Sequence, residues 1–214
     1  MQRLKLKKNK YPGTLIIFEG TDGAGKTTLI SLTEKLLIDE FGQEKILCIK
    51  QPTDLSRKTK LFQKMMYSEN HQDIDYRAVQ LLTMSDRIQH GFEIIEPALK
   101  EGKIVICDRY VYTSLVNMLA RGYTKEKWFN KVAKSIIKPN LSFLAYVEPK
   151  IAINRIKNRP EEANRYLDEQ LLKKVALLFK KMAHKNKFVI LDTAKEPKYA
   201  FAVVKTKLVK EGLI

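Results

Sequence analysis

The chain has 214 residues, of which 44% are hydrophobic and 30% are charged. That is enough apolar material to fill a core, and it excludes a chain that is disordered throughout. Forty Lys and Arg residues against 24 Asp and Glu give a formal net charge of +16, so an anionic partner is expected. Nucleotides, nucleic acid and acidic membranes all fit that charge.

Cysteine usage and hydropathy indicate a protein of a reducing compartment. Cys48 and Cys107 each lie in a short apolar run, where a free thiol commonly serves as a small buried side chain. The basic start, MQRLKLKKNK, is followed by no apolar run of signal-peptide length, and no stretch reaches the roughly 20 apolar residues of a membrane span. We therefore expect a soluble, cytoplasmic protein with no membrane partner.

Short apolar runs alternate with amphipathic runs along the chain. Buried parallel strands are predicted at Thr14 to Glu19, Lys45 to Lys50, Lys103 to Asp108, Leu141 to Val147 and Lys187 to Asp192. Helical periodicity marks Thr28 to Phe41, Tyr76 to Leu99, Lys125 to Ile137, Asp168 to His184 and Lys198 to Lys210. This order predicts a three-layer α/β fold, a five-stranded parallel sheet with helices on both faces. No linker or repeat divides the chain, so one domain is expected over residues 1–214, with a basic N-terminal extension at residues 1–12.

The most specific motif follows the first predicted strand. Residues 20–27 read GTDGAGKT, which matches G-x-x-x-x-G-K-[ST] between a strand and an amphipathic helix. Such a phosphate-binding loop (P-loop) points backbone N–H groups at phosphate oxygens, and the helix start adds its positive dipole end. We expect Lys26 to reach the β- and γ-phosphates of ATP and the Thr27 hydroxyl to bind Mg²⁺. The predicted nucleotide-binding residues are Gly20, Gly23, Ala24, Gly25, Lys26, Thr27 and Thr28.

A carboxylate ends the third predicted strand, and an arginine follows it. Asp108 and Arg109 are expected beside the phosphates, because ligands of open α/β sheets bind at the carboxyl ends of strands. There, a carboxylate can organise Mg²⁺, and an arginine can hold an acceptor phosphate through two parallel hydrogen bonds. Without a P-loop, an ordinary surface ion pair would explain the same two residues.

Three runs together resemble the thymidylate kinase family. They are the P-loop within Ile17 to Thr28, the run SDRIQH at residues 85–90, and the run from Ile94 through the third strand to Val111. They stand in the order and spacing of that family, and the resemblance covers roughly residues 14 to 192. It implies transfer of the ATP γ-phosphoryl group to a nucleoside monophosphate, dTMP or a related nucleotide, on a P-loop fold with a mobile LID segment.

The resemblance also implies roles for single residues. Asp22 corresponds to a loop carboxylate near the acceptor and the metal, and Arg87 to an arginine that reaches the acceptor nucleotide. Arg109 would grip the acceptor phosphate, and Asp108 would help to arrange Mg²⁺ and the phosphates.

Phosphoryl transfer develops negative charge that an arginine can stabilise. Positions 21–24 of the P-loop contain no arginine, whereas the predicted LID at about residues 154–167 contains Arg155, Arg159 and Arg165. This matches the family branch that takes its arginines from the LID, so the three are predicted as a catalytic set. The alternative is a solvated basic helix face, and at least one of the three is expected to have only that role.

Several positions that read the acceptor base in the family differ here. Thr83 stands where the family has a phenylalanine that stacks on the base, an interaction worth ~1–3 kcal/mol. Tyr112 and Asn117 are candidates to compensate, and Gln51 replaces a glutamate, which keeps a hydrogen-bonding side chain without the charge. The acceptor therefore need not be dTMP. The predicted acceptor-binding residues are Asp22, Gln51, Thr83, Arg87, Arg109, Tyr112 and Asn117.

Two stretches outside these motifs are also interpreted. The basic residues Arg57, Lys58 and Lys60 fit either contact with an anionic acceptor or a solvated helix start. The run Asp168 to His184 is interpreted as a core helix and not as part of a site.

Other functions and assemblies remain open. A P-loop kinase of another small acceptor, such as a nucleoside or a modified nucleotide, would share every phosphate-binding residue. A nucleic-acid-binding or regulatory protein on a degenerate kinase fold would use the excess positive charge, but recognition-helix, zinc-ligand and RNP patterns are absent from the sequence, so nucleic acid is not favoured. The resemblance further implies a homodimer, for which the apolar faces around Tyr76 to Ile95 and Leu115 to Leu119 are candidates.

Overall fold

The structure is a computed structural model that describes residues 3–69, 72–160 and 166–214. At its centre lies a five-stranded parallel sheet with the strand order β2-β3-β1-β4-β5. The strands are β1 (Thr14–Glu19), β2 (Ile46–Lys50), β3 (Ile104–Asp108), β4 (Leu141–Tyr146) and β5 (Val189–Asp192). All five predicted strands are present with bounds shifted by two residues at most, and the predicted fold class is confirmed.

Helices cover both faces of the sheet. They are α1 (Lys26–Phe41), α2 (Asp54–Arg57), α3 (Lys60–Tyr67), α4 (Tyr76–His90), α5 (Glu96–Lys100), α6 (Val111–Ala120), α7 (Lys127–Ala133), α8 (Pro149–Lys157), α9 (Glu169–Asn186) and α10 (Pro197–Lys210). Alternate residues of β1 enter different cores. Leu15 and Ile17 pack with α4, α6 and α9, whereas Ile16 and Phe18 pack with α1, α8 and α10. Burial on both faces explains why the strands are apolar at every position.

Two predicted helices have different bounds in the structure. The run Tyr76 to Leu99 is not one regular helix, because a π-helical turn at Gly91–Ile95 separates α4 from α5. Pro97 lacks the N–H that a continuous helix would use there, which favours such an irregular turn. The run Lys125 to Ile137 also shortens to α7, since the backbone beyond Ile136 pairs with the N-terminal segment.

The basic N-terminal stretch packs on the fold over its described part. Leu4 is buried, and Lys7 forms a parallel bridge with Ile137. The Lys7 ammonium lies 2.7 Å from a Glu96 carboxylate oxygen, and the Tyr11 hydroxyl donates to the other oxygen at 2.8 Å. These contacts lie at the amino ends of the strands, the edge of the sheet opposite the P-loop.

Helices within the described ranges include none that is long and apolar enough to cross a bilayer.

Candidate active site

The P-loop joins β1 to α1 as the motif predicts. Gly23 and Gly25 have φ values of 72° and 77°, the left-handed region that favours glycine. A Cβ atom on Gly23 would lie 2.4 Å from the carbonyl oxygen of Ala152 in α8, so the loop can approach that helix only with glycine there. Gly25 precedes α1, which begins at Lys26, two residues before the predicted start.

Lys26 is buried at the centre of this loop. Its ammonium donates to the carbonyl oxygens of Gly20 at 3.0 Å and Thr21 at 2.7 Å. Burial lowers the pKa of Lys26 to about 8, and the positive charge of Arg109 acts in the same direction. An anion that reached this lysine would relieve the cost of its burial.

Arg109 follows β3 with a φ of 65°, an uncommon conformation for a residue with a side chain. Its backbone N–H donates to Phe18 O at 2.9 Å, and its Nη1 donates to Gly20 O at 2.9 Å. Its Nη2 forms an ion pair with Asp22. The structure therefore brings Asp22 and Arg109, two of the predicted site residues, together beside the P-loop.

The predicted metal-binding residues lie at the end of β3 and in the first turn of α1. Within the described residues, Asp108 Oδ1 is buried and has no hydrogen-bond partner, while Oδ2 lies 4.0 Å from the Lys50 ammonium. Thr27 is exposed in the first turn of α1. A buried carboxylate oxygen without a donor is costly, and a hydrated cation would satisfy it. These residues fit Mg²⁺.

A cavity of about 300 Å³ opens beside Arg109, and we call it the acceptor cavity. Its walls come from the P-loop, the segment after β2, and helices α3, α4, α6 and α9. Of the predicted acceptor-binding residues, Asp22, Thr83, Arg87, Arg109 and Asn117 line it.

Arg87 lies in this cavity wall and is otherwise buried. Its Nη1 donates to Gln51 Oε1 at 2.9 Å, and its Nε donates to Ser114 Oγ at 3.4 Å. Burial lowers the pKa of Arg87, against the attraction of Glu19. Gln51 is fully buried behind Arg87, and its Nε2 lies 3.1 Å from His90 Nδ1. Gln51 thus supports Arg87 and lies outside the cavity lining formed by the described residues.

The segment after β2 is held by Asp86, the neighbour of Arg87 on α4. The Asp86 carboxylate accepts from Thr53 N at 2.8 Å, Thr53 Oγ1 at 2.9 Å and Ser56 N at 3.2 Å. This fixes the start of α2, from which Arg57 reaches the acceptor cavity. The Arg57 Nε donates to Pro52 O at 2.6 Å.

Thr83 of α4 and Asn117 of α6 also line the acceptor cavity. The Thr83 hydroxyl donates to Gln80 O at 3.1 Å. Asn117 donates from Nδ2 to Thr113 O at 2.9 Å, and its Oδ1 accepts from Arg121 Nη1 at 2.9 Å. Both Asn117 polar groups are therefore engaged within α6 and its C-terminal end.

A second cavity, of about 390 Å³, lies on the other side of the P-loop, and we call it the donor cavity. Arg155 donates to Thr193 O at 2.8 Å and to Gly23 O at 3.3 Å. The Thr193 hydroxyl donates to Ala24 O at 2.9 Å. The lining includes Gly23, Gly25, Thr28, Arg155, Arg159 and Lys195.

Comparison with known proteins places this arrangement in a family. A family model described as thymidylate kinase matches residues 18–202. A probable thymidylate kinase of Pyrococcus horikoshii is 41% identical over 150 residues, which are 69% of this chain and 71% of that protein. A thymidylate kinase of Geobacillus sp. is 35% identical over 200 residues, 89% of this chain and 93% of that protein.

The chain belongs to the thymidylate kinase family. A crystal structure of thymidylate kinase from Ehrlichia chaffeensis shares the fold, with a TM-score of 0.65 at 22% identity over 92% of this chain and 98% of that one. The predicted family and enzyme class, a P-loop kinase, are confirmed.

Besides Gln51, one predicted acceptor-binding residue of this thymidylate kinase family member lies away from the acceptor cavity, and one predicted LID arginine lies outside the described residues. Tyr112 is buried and packs edge-on against Phe188, with ring centroids 4.9 Å apart, away from the acceptor cavity. The geometry therefore places Tyr112 in the core, packed against Phe188 just beyond the end of α9. Arg165 lies outside the described residues.

Other cavity residues were missed by the sequence reasoning. Thr193 and Lys195 follow β5, and the rule about the carboxyl ends of strands, applied to Asp108, would have found them. The run Asp168 to His184 forms a core helix as predicted, and Leu171, Val175 and Phe179 of this helix, α9, also line the acceptor cavity. Periodicity identifies an apolar helix face but not the cavity that interrupts its packing.

Proposed function

We propose that this thymidylate kinase family member transfers the γ-phosphoryl group of ATP to a nucleoside monophosphate, with dTMP or a related deoxynucleotide as the acceptor. The observation that carries the proposal is the position of the P-loop between two cavities of about 390 and about 300 Å³. Cationic side chains line both cavities where they meet the loop. The relatives named thymidylate kinase support dTMP as the first acceptor to test.

On the donor side, the triphosphate would lie along the P-loop N–H groups with its base in the donor cavity. Lys26 would bind the β- and γ-phosphates. Arg155 and Arg159 line the same cavity and would stabilise the charge that develops on the transferred group. Arg165 completes the set predicted from the LID.

On the acceptor side, Arg109 and Arg57 would hold the monophosphate, and Arg87 would contact the base end of the nucleotide. The acceptor phosphate oxygen attacks the γ-phosphorus of ATP as the bond from that phosphorus to the β-bridging oxygen breaks, which leaves ADP and a nucleoside diphosphate. Holding both phosphates in line converts the encounter into an intramolecular step, the main contribution that a protein makes to this reaction.

Asp108 and Thr27 would hold Mg²⁺, which supplies neutralising charge to the phosphates when bound. The buried, unpartnered Asp108 Oδ1 supports this assignment among the described residues. Asp22 would keep Arg109 in place through their ion pair.

The acceptor is tested by measuring ADP release with purified protein, ATP, Mg²⁺ and a panel of mononucleotides: dTMP, dUMP, dCMP, dAMP, dGMP and the ribose forms. We expect turnover that depends on the acceptor, highest with dTMP or a close relative, and loss of that turnover in Lys26→Met. Background release with every acceptor would contradict the kinase proposal. A strong preference for another mononucleotide would contradict only the acceptor assignment, and the polar Thr83 and Asn117 would then be the first positions to exchange.

We also propose a homodimer. Leu81, Ile88 and Phe92 are exposed by 51%, 36% and 70%, and they recur at helical spacing along α4 and the turn that follows it. In contrast, Leu115 packs against the core, so α6 is not part of the proposed interface. Light scattering is expected to give about twice 24.8 kDa for the protein and a monomer for Phe92→Asp, whereas a monomeric wild type would contradict the proposal.

We further propose that the protein works in a reducing cytoplasm. Both cysteines are free thiols, with Cys107 buried and Cys48 half-buried. Fractionation of native cells, followed by detection of the protein, tests this location.

A further inference from the structure

Glu19 is a buried carboxylate with no role in the function proposed above. It is the last residue of β1 and directly precedes the P-loop, and its side chain is fully buried. Buried charges are costly unless they are paired and hydrogen-bonded, so the contacts of Glu19 indicate what the carboxylate does.

Within the described part of the chain, the hydrogen bonds of this carboxylate are with the segment that follows Arg109. Oε1 accepts from the backbone N–H of Tyr110 at 2.9 Å and of Thr113 at 3.0 Å, and Oε2 accepts from the Thr113 hydroxyl at 2.5 Å. Thr113 lies in the first turn of α6, where backbone N–H groups lack helical partners. A carboxylate from the neighbouring strand therefore caps α6, and its charge suits the positive end of that helix.

Arg109 directly precedes the segment that Glu19 holds, and it also contacts the residues on either side of Glu19. Phe18 O and Gly20 O, the neighbours of Glu19, accept from the Arg109 backbone N–H and from Nη1, each at 2.9 Å. The Arg109 φ of 65° is unfavourable for arginine and persists only where surrounding contacts determine it. Glu19 supplies those contacts on the C-terminal side of Arg109.

Glu19 also interacts electrostatically with the cationic side chains around it. Burial raises the pKa of Glu19, while the hydrogen bond from Thr113 and the charges of Arg87 and Arg109 act to lower it. Glu19 in turn favours the charged forms of Lys26 and Arg87. One carboxylate thus faces cations of both the P-loop and the acceptor cavity.

We infer that Glu19 is a positioning residue, which fixes Arg109 relative to the P-loop so that the acceptor phosphate is held at a set distance from the donor. The inference rests on the proposed function, since it assigns Arg109 to the acceptor. Its consequence is that a change at Glu19 weakens acceptor binding and slows transfer. The affinity for ATP changes little, because Asp22 and Asp108 favour the charged form of Lys26 more strongly than Glu19 does.

The test compares Glu19→Gln with the wild type. Glutamine has the same shape and keeps one oxygen for the N–H groups of Tyr110 and Thr113, but it places an NH₂ group opposite the Thr113 hydroxyl and removes the charge. Loss of a buried charge-assisted hydrogen bond predicts an increase of about 10- to 100-fold in the KM for dTMP, with the KM for ATP changed by less than about 3-fold. Equal changes in both KM values, or no change in either, would overturn the inference.

A second comparison separates positioning from a general loss of structure. If Glu19 acts through Arg109, adding Glu19→Gln to Arg109→Ala gives no further rise in the Kd for dTMP measured by calorimetry. A further rise of about the same factor as in the wild-type background would overturn the inference. Calorimetry also distinguishes the two proposals. A wild type that binds dTMP but phosphorylates no acceptor would contradict the proposed function, and the Kd values of the Glu19 and Arg109 variants could still be compared.

Thr113 provides the test from the other side if Glu19→Gln does not fold. Thr113→Ser keeps the hydroxyl that donates to Glu19 Oε2, and Thr113→Val has nearly the size of threonine without it. We expect the Kd for dTMP to stay within about 3-fold of the wild type in the serine variant and to rise about 10-fold in the valine variant. Equal Kd values for the two variants would overturn the inference.

Discussion

At the scale of single residues, the contacts of Arg87 determine the protonation of a histidine. Arginine has only donors, so the Gln51 atom that faces Arg87 Nη1 is the amide oxygen. The Gln51 nitrogen then donates to His90 Nδ1 at 3.1 Å, and this nitrogen must carry no proton. Burial lowers the pKa of His90 below its usual 6.5, with Asp86, Arg87 and Glu93 as the charged neighbours. The neutral histidine therefore supports the arrangement that holds Arg87.

Acidification is expected to break this chain of hydrogen bonds. Because the pKa of His90 is lowered, the ring stays neutral from pH 8 down to its usual value of 6.5, and only below that does protonation place a donor against Gln51. The KM for dTMP should be flat in the upper range and rise at lower pH. Since the acceptor phosphate also titrates near pH 6, the measurement is the difference between the wild type and His90→Asn, whose Oδ1 can replace Nδ1 as an acceptor without titrating. Identical pH profiles for the two proteins would contradict the prediction.

Arg57 offers a prediction at the phosphate end of the same cavity. It is half-buried, and burial lowers its pKa, with the charge of Arg109 acting in the same direction. Arg57→Ala should raise the KM for dTMP about 10- to 100-fold, the loss expected for a charge-assisted hydrogen bond, and leave the KM for ATP within about 3-fold. Lys58→Ala is the matched control, because Lys58 is an exposed cation one residue away that pairs with Asp54. Similar effects of both substitutions would show that net charge alone matters.

At the scale of elements, the sequence predicted what depends on local rules and missed what depends on packing. The P-loop, Asp108 and Arg109 each follow from a motif or from a strand end, and Arg109 pairs with Asp22 of the loop. The π-helical turn at Gly91–Ile95 and the cavity-facing side of α9 depend on how neighbouring helices fill space, which periodicity does not encode. Tyr112 shows the same limit, since an aromatic residue near a predicted site packs in the core.

The contact between the P-loop and α8 allows an element-scale prediction. In Gly23→Ala, the new Cβ would meet Ala152 O at 2.4 Å, so α8 must move together with Arg155. We expect the free energy of unfolding to fall by more than about 2 kcal/mol and ATP binding to weaken, because steric overlap adds to the cost of the positive φ. Gly122→Ala is the control, with a φ of 89° but, among the described residues, no atom within 4 Å of the new Cβ. Urea unfolding and ATP titration measure both effects, and equal destabilisation by the two substitutions would contradict the steric argument.

At the scale of the whole molecule, residues at two opposite edges of the sheet contribute to the charge of +16. Part of it lines the cavities at the carboxyl edge of the sheet, with Arg57, Arg87 and Arg109 in the acceptor cavity and Arg155, Arg159 and Lys195 in the donor cavity. Another part lies at the amino edge, where Lys5, Lys8 and Lys10 are exposed. The exposed lysines of the N-terminal segment therefore lie far from the nucleotide site. The buried Leu4 and the ion pair of Lys7 with Glu96 hold the segment on the fold.

Removal of the N-terminal segment is expected to reduce stability and leave catalysis nearly unchanged. Deletion of residues 1–8 removes the buried Leu4 and the Lys7 contacts with Glu96 and Ile137. Burial of one leucine side chain is worth about 1.5–3 kcal/mol, which corresponds to a fall in Tm of about 3–12 °C for a chain of this size. The kcat should stay within about 2-fold, because the segment lies at the opposite edge of the sheet from Arg109.

Lys5→Ala combined with Lys8→Ala is the control, since it removes charge but no buried contact, and its Tm should match the wild type. An unchanged Tm after the deletion would mean that these contacts contribute no net stability, and a large loss of kcat would mean that the segment influences the site through the sheet.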